Sequence, residues 1–206
     1  ESQANDAYWH GLFGGLYLPH LRRAIYNSLV ELEALLDERL PRPSYFTEDT
    51  DLDGVAEAYL QNGILQAVIK LDPFASVCEL DAYRLHHNFA DTLRCQVEHY
   101  YQKIQPGHNH AASHSASGIA SAHDRVSYKH EIKAEDIIPD DHPRSLFVDR
   151  LDGMFISYHS KAAALENNHF QSTNTEYPIH KQFVLDANRL QVIYHFSAKM
   201  AHVFIT

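Results

Sequence analysis

Residues 5 to 23 read Asn5-Asp6-Ala7-Tyr8-Trp9-His10-Gly11-Leu12-Phe13-Gly14-Gly15-Leu16-Tyr17-Leu18-Pro19-His20-Leu21-Arg22-Arg23 and contain the chain's only tryptophan. An indole face is a platform for the apolar face of a sugar ring, while its N–H and the His10 imidazole can serve hydroxyl groups. Gly14-Gly15 permits backbone geometry closed to residues with a side chain, and Gly11 lets the main chain pass close to something bulky. The competing reading is a buried Trp beside a hydrogen-bonded His, which composition alone favours.

Other candidates are weaker. Asp49-Thr50-Asp51-Leu52-Asp53-Gly54 opens like a calcium loop, but the twelfth position, where a bidentate acid belongs, is Leu60. A turn ahead of a hairpin is the default there. His108, His110 and His114, with His123 and His130 beyond, invite a metal reading, yet a Ser/Ala-rich loop supplies neither rigid ligand geometry nor a supporting shell. No metal and no cofactor is therefore expected. A catalytic carboxyl pair would stand about 5 Å apart, one as nucleophile and one as acid/base, and spacing gives none of Asp124, Asp140, Asp141, Asp149 or Asp152 such a partner. Nucleophile elbow, phosphate loop and dinucleotide fingerprint are all missing from the sequence.

The elements that must position these residues follow from periodicity. Leu18, Leu21, Ile25, Leu29, Leu32, Leu36 and Leu40 recur at steps of three and four, which predicts a helix opened by Pro19 and stopped by Pro41 and Pro43. Its other face, with Arg22, Arg23, Glu31, Glu33, Asp37 and Glu38, reads as solvated. The leucine stripe needs a partner, and no second helix of equal quality follows, which points to lost sequence. Val55 to Gln61 and Ile64 to Lys70 flank Asn62-Gly63, the signal of a hairpin with a type I′ turn. Further strands are expected at Val77 to Leu80, Arg125 to Glu131, Phe155 to His159, Lys181 to Leu185, Leu190 to Ser197 and His202 to Ile205. Asp91 would cap a short helix to Ile104. The stretch 105–122 reads as a flexible His/Ser/Ala-rich loop.

Bulk properties narrow the class. The 206 residues, 45% of them hydrophobic, suit one or two globular domains. Seventeen Lys and Arg against 27 Asp and Glu give a net charge of −10, which disfavours nucleic acid and anionic membrane but not a neutral sugar. There is no apolar run of membrane-spanning length and no leader pattern. Cys78 and Cys95 could form one bridge, but two cysteines fit a reducing, cytoplasmic setting as well. A start without Met and an end in mid-strand suggest a piece of a longer protein.

The order of the opening residues resembles the last conserved segment of glycoside hydrolase family 57, in its 4-α-glucanotransferase and α-amylase branch: Asn-Asp-x-Tyr-Trp-His-Gly-x-Phe-Gly-Gly-x-Tyr. Every fixed letter is present, from Asn5 to Tyr17, with Ala4 where the family often has Cys. Asp51 to Glu57, Glu79-Leu80-Asp81, Asn88 to Arg94, Glu98-His99-Tyr100, Ser121 to Asp124 and Arg144 to Asp149 resemble successive signatures of the family's C-terminal β-domain, with Arg150 where His is usual. The likeness fades after about Asp152.

The resemblance implies an α+β, mainly β fold: a long helix from a helical segment, then an antiparallel β-sandwich of the supersandwich, galactose-mutarotase-like kind, incomplete here. The domains would be 1–43, the active-site-proximal segment and helix, and 44–206, the sandwich. It also implies that Trp9 lines a sugar subsite, with His10, Asp6 and Tyr8 beside it, and that the nucleophilic Glu and acid/base Asp lie in a barrel preceding Glu1. The partners would then be an α-1,4-glucan or maltooligosaccharide and that catalytic barrel. On this reading the chain is a non-catalytic portion of an α-glucan-acting enzyme. The alternatives are a stand-alone carbohydrate-binding sandwich and a purely structural domain.

Overall fold

The computed structural model of the chain describes residues 14–97, 133–160, 169–172 and 178–196. Helix α1 runs from Pro19 to Arg39, with Pro19 at the start, where its missing N–H costs no helical hydrogen bond and its fixed φ is already helical. Leu40 still donates to the Leu36 carbonyl at 2.8 Å, and Pro41 and Pro43 then forbid another turn. The predicted helix is therefore present.

Strands β1 (Tyr45–Glu48), β2 (Glu57–Gln61), β3 (Leu65–Lys70), β4 (Val77–Ala82) and β5 (His87–Asn88) form an antiparallel sheet in sequence order. A two-stranded ribbon pairs β6 (Arg150–Leu151) with β7 (Met154–Phe155). The second large sheet has the order β11-β10-β9-β8, built from β8 (Tyr158–Ser160), β9 (His169–Ser172), β10 (Ile179–Asp186) and β11 (Arg189–Phe196). Alternation turns Ala58, Leu60, Ala67, Ile69 and Val77 of the first sheet toward Tyr158, Ile179 and Phe183 of the second, and these residues form one buried core. The fold is thus α+β with strands dominating, as expected.

Several expectations need correction. The hairpin between β2 and β3 exists, but its turn is not the Asn-Gly type I′ form. Only Gly63 has a positive φ, 77°, while the Asn62 side-chain oxygen accepts from the Ile64 and Leu65 amides at 3.0 and 2.9 Å. The side chain closes the turn, so Asn62 has no need of the left-handed region. Residues 91–97 of the expected helix to Ile104 are not helical, and the Asp91 carboxylate that would have capped it is bound elsewhere, as described below; residues 98–104 lie outside the described residues. The run Phe155 to His159 divides into β7 and β8, since Ile156 donates to Asp149 and Tyr158 to Pro73, outside any strand ladder. The expected strands at 125–131 and 202–205 and the loop 105–122 lie outside the described residues.

The helix also lies differently from the wheel prediction. Ile25 and Val30 are buried, but Leu32, Leu35, Leu36 and Leu40 are each more than half exposed. Glu33 and Asp37, expected on a solvated face, turn to the sheet. Gln66 donates to Glu33 at 2.8 Å, and Arg42 holds Asp37 through two bonds of 2.7 and 2.9 Å. The sheet's outer face explains this, because its partners there are Gln66, Glu79, Asp81 and the Tyr83 hydroxyl rather than apolar residues. Buried polar groups must find polar partners, and a polar helix face supplies them.

Crowding acids under a helix has a pH consequence. Burial, reinforced by the neighbouring carboxylate of Asp81, pushes the Glu79 carboxyl up to about 8. Burial pushes Asp81 up to about 7 against the opposing hydrogen bond from Gln66. Both groups hold their proton more tightly folded than unfolded, where carboxyls titrate near ~4. Stability is therefore full below that value and falls as pH rises, levelling off above about pH 8. Melting followed by circular dichroism should show Tm dropping between pH 5 and 8, and Glu79→Gln should flatten that slope. An unchanged slope in the variant would contradict the assignment.

Candidate functional site

Asp6, Tyr8, Trp9 and His10 lie outside the described residues, and so do the histidines at 108, 110, 114, 123 and 130. What is described is how the chain leaves the opening motif. Gly14 has φ 115° and Gly15 φ 50°, and a Cβ on Gly14 would meet Leu18 Cγ at 2.9 Å, so this corner requires glycine. Tyr17 and Leu18 close a short 3-10 turn onto Gly14 and Gly15 at 3.0 and 3.1 Å. Arg22, one helical turn on, donates to the Leu16 carbonyl at 2.6 Å and to Asp91 at 2.9 Å. The Arg22–Asp91 pair is mostly sheltered, at 16% and 17% side-chain exposure, where a charged bond is worth more than at an open surface. It ties the end of the motif to the β-domain.

The acidic loop is filled from within. Asp49 accepts the amides of Asp53 and Gly54, and the Lys70 ammonium sits 2.7 Å from Asp51, 2.8 Å from Asp53 and 2.6 Å from Glu57. Burial works against the Lys70 charge, but hydrogen bonds to Asp51, Asp53 and Glu57 outweigh it and raise its pKa. Carboxylate oxygens of Asp49, Asp51 and Glu57 lie within 4.8 Å of one another, so a divalent ion would have to displace this ammonium. Leu60, at the position a calcium loop gives to an acid, is buried in the core.

Three of the remaining candidate acids, Asp140, Asp141 and Asp149, also have partners, while Asp124 lies outside the described residues. Arg144 holds Asp140 and His142 holds Asp141, and each contact keeps its carboxyl below the usual range. Asp149 is almost fully buried and accepts from the Lys181 ammonium at 2.8 Å and from the hydroxyls of Tyr158 and Tyr194 at 2.9 and 2.7 Å. Lys181, also fully buried, bonds the Phe147 carbonyl and lies 5.0 to 5.9 Å from the ring centres of Tyr158, Phe183 and Tyr194. Sequence reasoning did not single out Lys181. Its signal was parity, since it alternates inward with Ile179 and Phe183.

Breaking a buried pair by removing one partner costs about 3–5 kcal/mol, because the other charge is stranded. Asp149→Asn should therefore lower unfolding stability by that order in urea titration, and adding Lys181→Met should restore most of it. A single-variant cost below ~1 kcal/mol would contradict the pairing.

Comparison with known proteins agrees with this architecture. The model for "Alpha-amylase/4-alpha-glucanotransferase, C-terminal" matches residues 49–205, and that for the middle domain of the same family matches residues 1–36. An alpha-amylase of Pyrococcus abyssi is 38% identical over 150 residues, covering 73% of this chain and 20% of the relative. Alpha-amylase 1 of Dictyoglomus thermophilum is 32% identical over 197 residues, covering 94% of this chain and 27% of the relative. The crystal structure of 4-alpha-glucanotransferase from Thermococcus litoralis matches with a TM-score of 0.62 at 23% identity, over 94% of this chain and 30% of that one, which shows a shared fold. The chain thus spans between a fifth and a third of the length of these relatives.

Proposed function

Because the chain belongs to the alpha-amylase/4-alpha-glucanotransferase family, we propose that it is the non-catalytic, C-terminal portion of an enzyme acting on α-1,4-glucans. The observation that carries this reading is the succession of matches, the middle domain at residues 1–36 and the C-terminal domain at 49–205, over a minor fraction of each relative. In the whole protein a barrel supplies the nucleophilic Glu and the acid/base Asp. It cleaves through a covalent glycosyl-enzyme and passes the sugar to another glucan or to water. This portion contributes Trp9 as a wall of a sugar subsite, with His10, Asp6 and Tyr8 beside it, and the sandwich as its support.

Three features favour a supporting role. Asp140 and Asp149 are engaged in ion pairs and Asp141 in a hydrogen bond with His142, so they are spent on structure. The tight Gly14 corner and the Arg22–Asp91 pair give the opening motif a fixed footing. Leu32, Leu35 and Leu36 of α1 and Leu40 just past its end are exposed apolar residues of the kind a neighbouring domain covers, and the catalytic part of the polypeptide is our choice of neighbour. Cys78 and Cys95 are both free thiols, which suits a reducing, cytoplasmic compartment. No described helix is long and apolar enough to cross a membrane.

Purified residues 1–206 incubated with maltoheptaose should yield neither shorter nor longer oligosaccharides above the blank, by chromatography of the products. Disproportionation or hydrolysis by the chain alone would overturn the non-catalytic reading.

A further inference from the structure

We infer that the groove between residues 142–150 and Thr92-Leu93 is a binding site for a neutral polyhydroxyl ligand, namely a stretch of α-glucan chain. The identity of the ligand rests on the proposed function, whereas the site itself rests on its geometry. The cavity is about 630 Å³, inside the ~300–1,000 Å³ range of small-ligand sites.

The walls of the groove are held from several directions. Phe155 lies in its lining, with the Arg150 guanidinium 4.1 Å from the ring centre, the His142 ring centre at 4.8 Å and the centre of the perpendicular Phe74 ring at 5.6 Å. On one side, Leu146 exchanges hydrogen bonds with Val77 at 2.9 and 3.0 Å, and Lys181 holds the Phe147 carbonyl and Asp149 from behind. On the other, the Thr92 hydroxyl donates to the Arg144 carbonyl, and Asp140 accepts the Cys95 amide at 2.8 Å. A site so tethered loses little freedom when a ligand enters, which is what preorganisation contributes to affinity.

The charges select the kind of ligand. Arg144 is already paired with Asp140 at 2.5 Å and the His142 ring is hydrogen-bonded to Asp141 at 2.6 Å, so two of the three nitrogen-bearing side chains lining the groove already face a carboxylate. The chain as a whole carries −10. A free anion therefore finds little net attraction. Paired charges instead present oriented donors and acceptors together, and a sugar hydroxyl is both. The apolar lining beside them, Leu93, Leu146 and Phe155, suits the C–H faces of the rings.

Calorimetric titration of the purified chain tests this, with maltoheptaose and inorganic phosphate as probes and Arg150→Ala, Arg144→Ala and Trp9→Ala as variants checked for folding by circular dichroism. We expect saturable binding of maltoheptaose and none of phosphate. Arg150→Ala and Arg144→Ala, each with Trp9 intact, should weaken it by about tenfold or more, the scale of a lost charged hydrogen bond. Should Arg150→Ala fail to fold, Arg144→Ala carries the test, since its side chain is 54% exposed. Absence of saturable binding, tighter binding of phosphate, or loss confined to Trp9→Ala would each overturn the groove assignment. None of these touches the non-catalytic reading, which fails only on product formation by the chain alone.

Discussion

The buried pair of Asp149 and Lys181 is the constraint on which the rest of the β-domain hangs. Two charges removed from water are tolerated only when their remaining hydrogen-bonding capacity is met. Here it is met by Tyr158, Tyr194 and the Phe147 carbonyl. Lys181, Tyr158 and Tyr194 all belong to the second sheet, while Asp149 and Phe147 belong to the irregular segment running past the end of the first. Three residues before Asp149, Leu146 pairs with Val77 of β4. One segment is thereby fastened to both sheets, and the side chains it carries, among them Arg144 and Arg150, are held relative to the core.

The same economy recurs elsewhere. Lys70 bridges Asp51 and Asp53 of the acidic loop and Glu57 of β2, Arg42 holds Asp37 and approaches Glu33 where the helix meets the sheet, and Arg22 holds Asp91. A chain with ten more acids than bases has deployed several of its bases as internal cations. The carboxylates of Asp37, Asp91 and the acidic loop are correspondingly committed to structure.

Where local chemistry decided the outcome, the sequence was readable. The steps of three and four from Leu18 with prolines at both ends defined α1, and alternation located β4, β10 and β11. Reading failed where distant groups intervened. Asp91 was a plausible helix cap until Arg22, 69 residues away, took its carboxylate. Glu33 and Asp37 belonged on a solvated face until the outer face of the sheet proved polar. The Asn62-Gly63 hairpin was found in the right place with the wrong turn, because the Asn62 side chain closed it. Lys181 carried a legible signal in its inward parity, but a lysine on an inward strand face has meaning only with its acid, and Asp149 lies 32 residues upstream. The opening motif, legible letter by letter up to Phe13, lies outside the described residues over that stretch.

If the Asp149–Lys181 pair orders the segment that frames the groove, that order should be visible in backbone protection. Hydrogen exchange at the Leu146 and Val77 amides, which bond one another's carbonyls, measures it directly. The account predicts strong protection of both amides in the native chain and its loss at Leu146 in Lys181→Met, with the β10–β11 ladder still protected. Exchange of Leu146 in the native chain as fast as an exposed loop amide would contradict it.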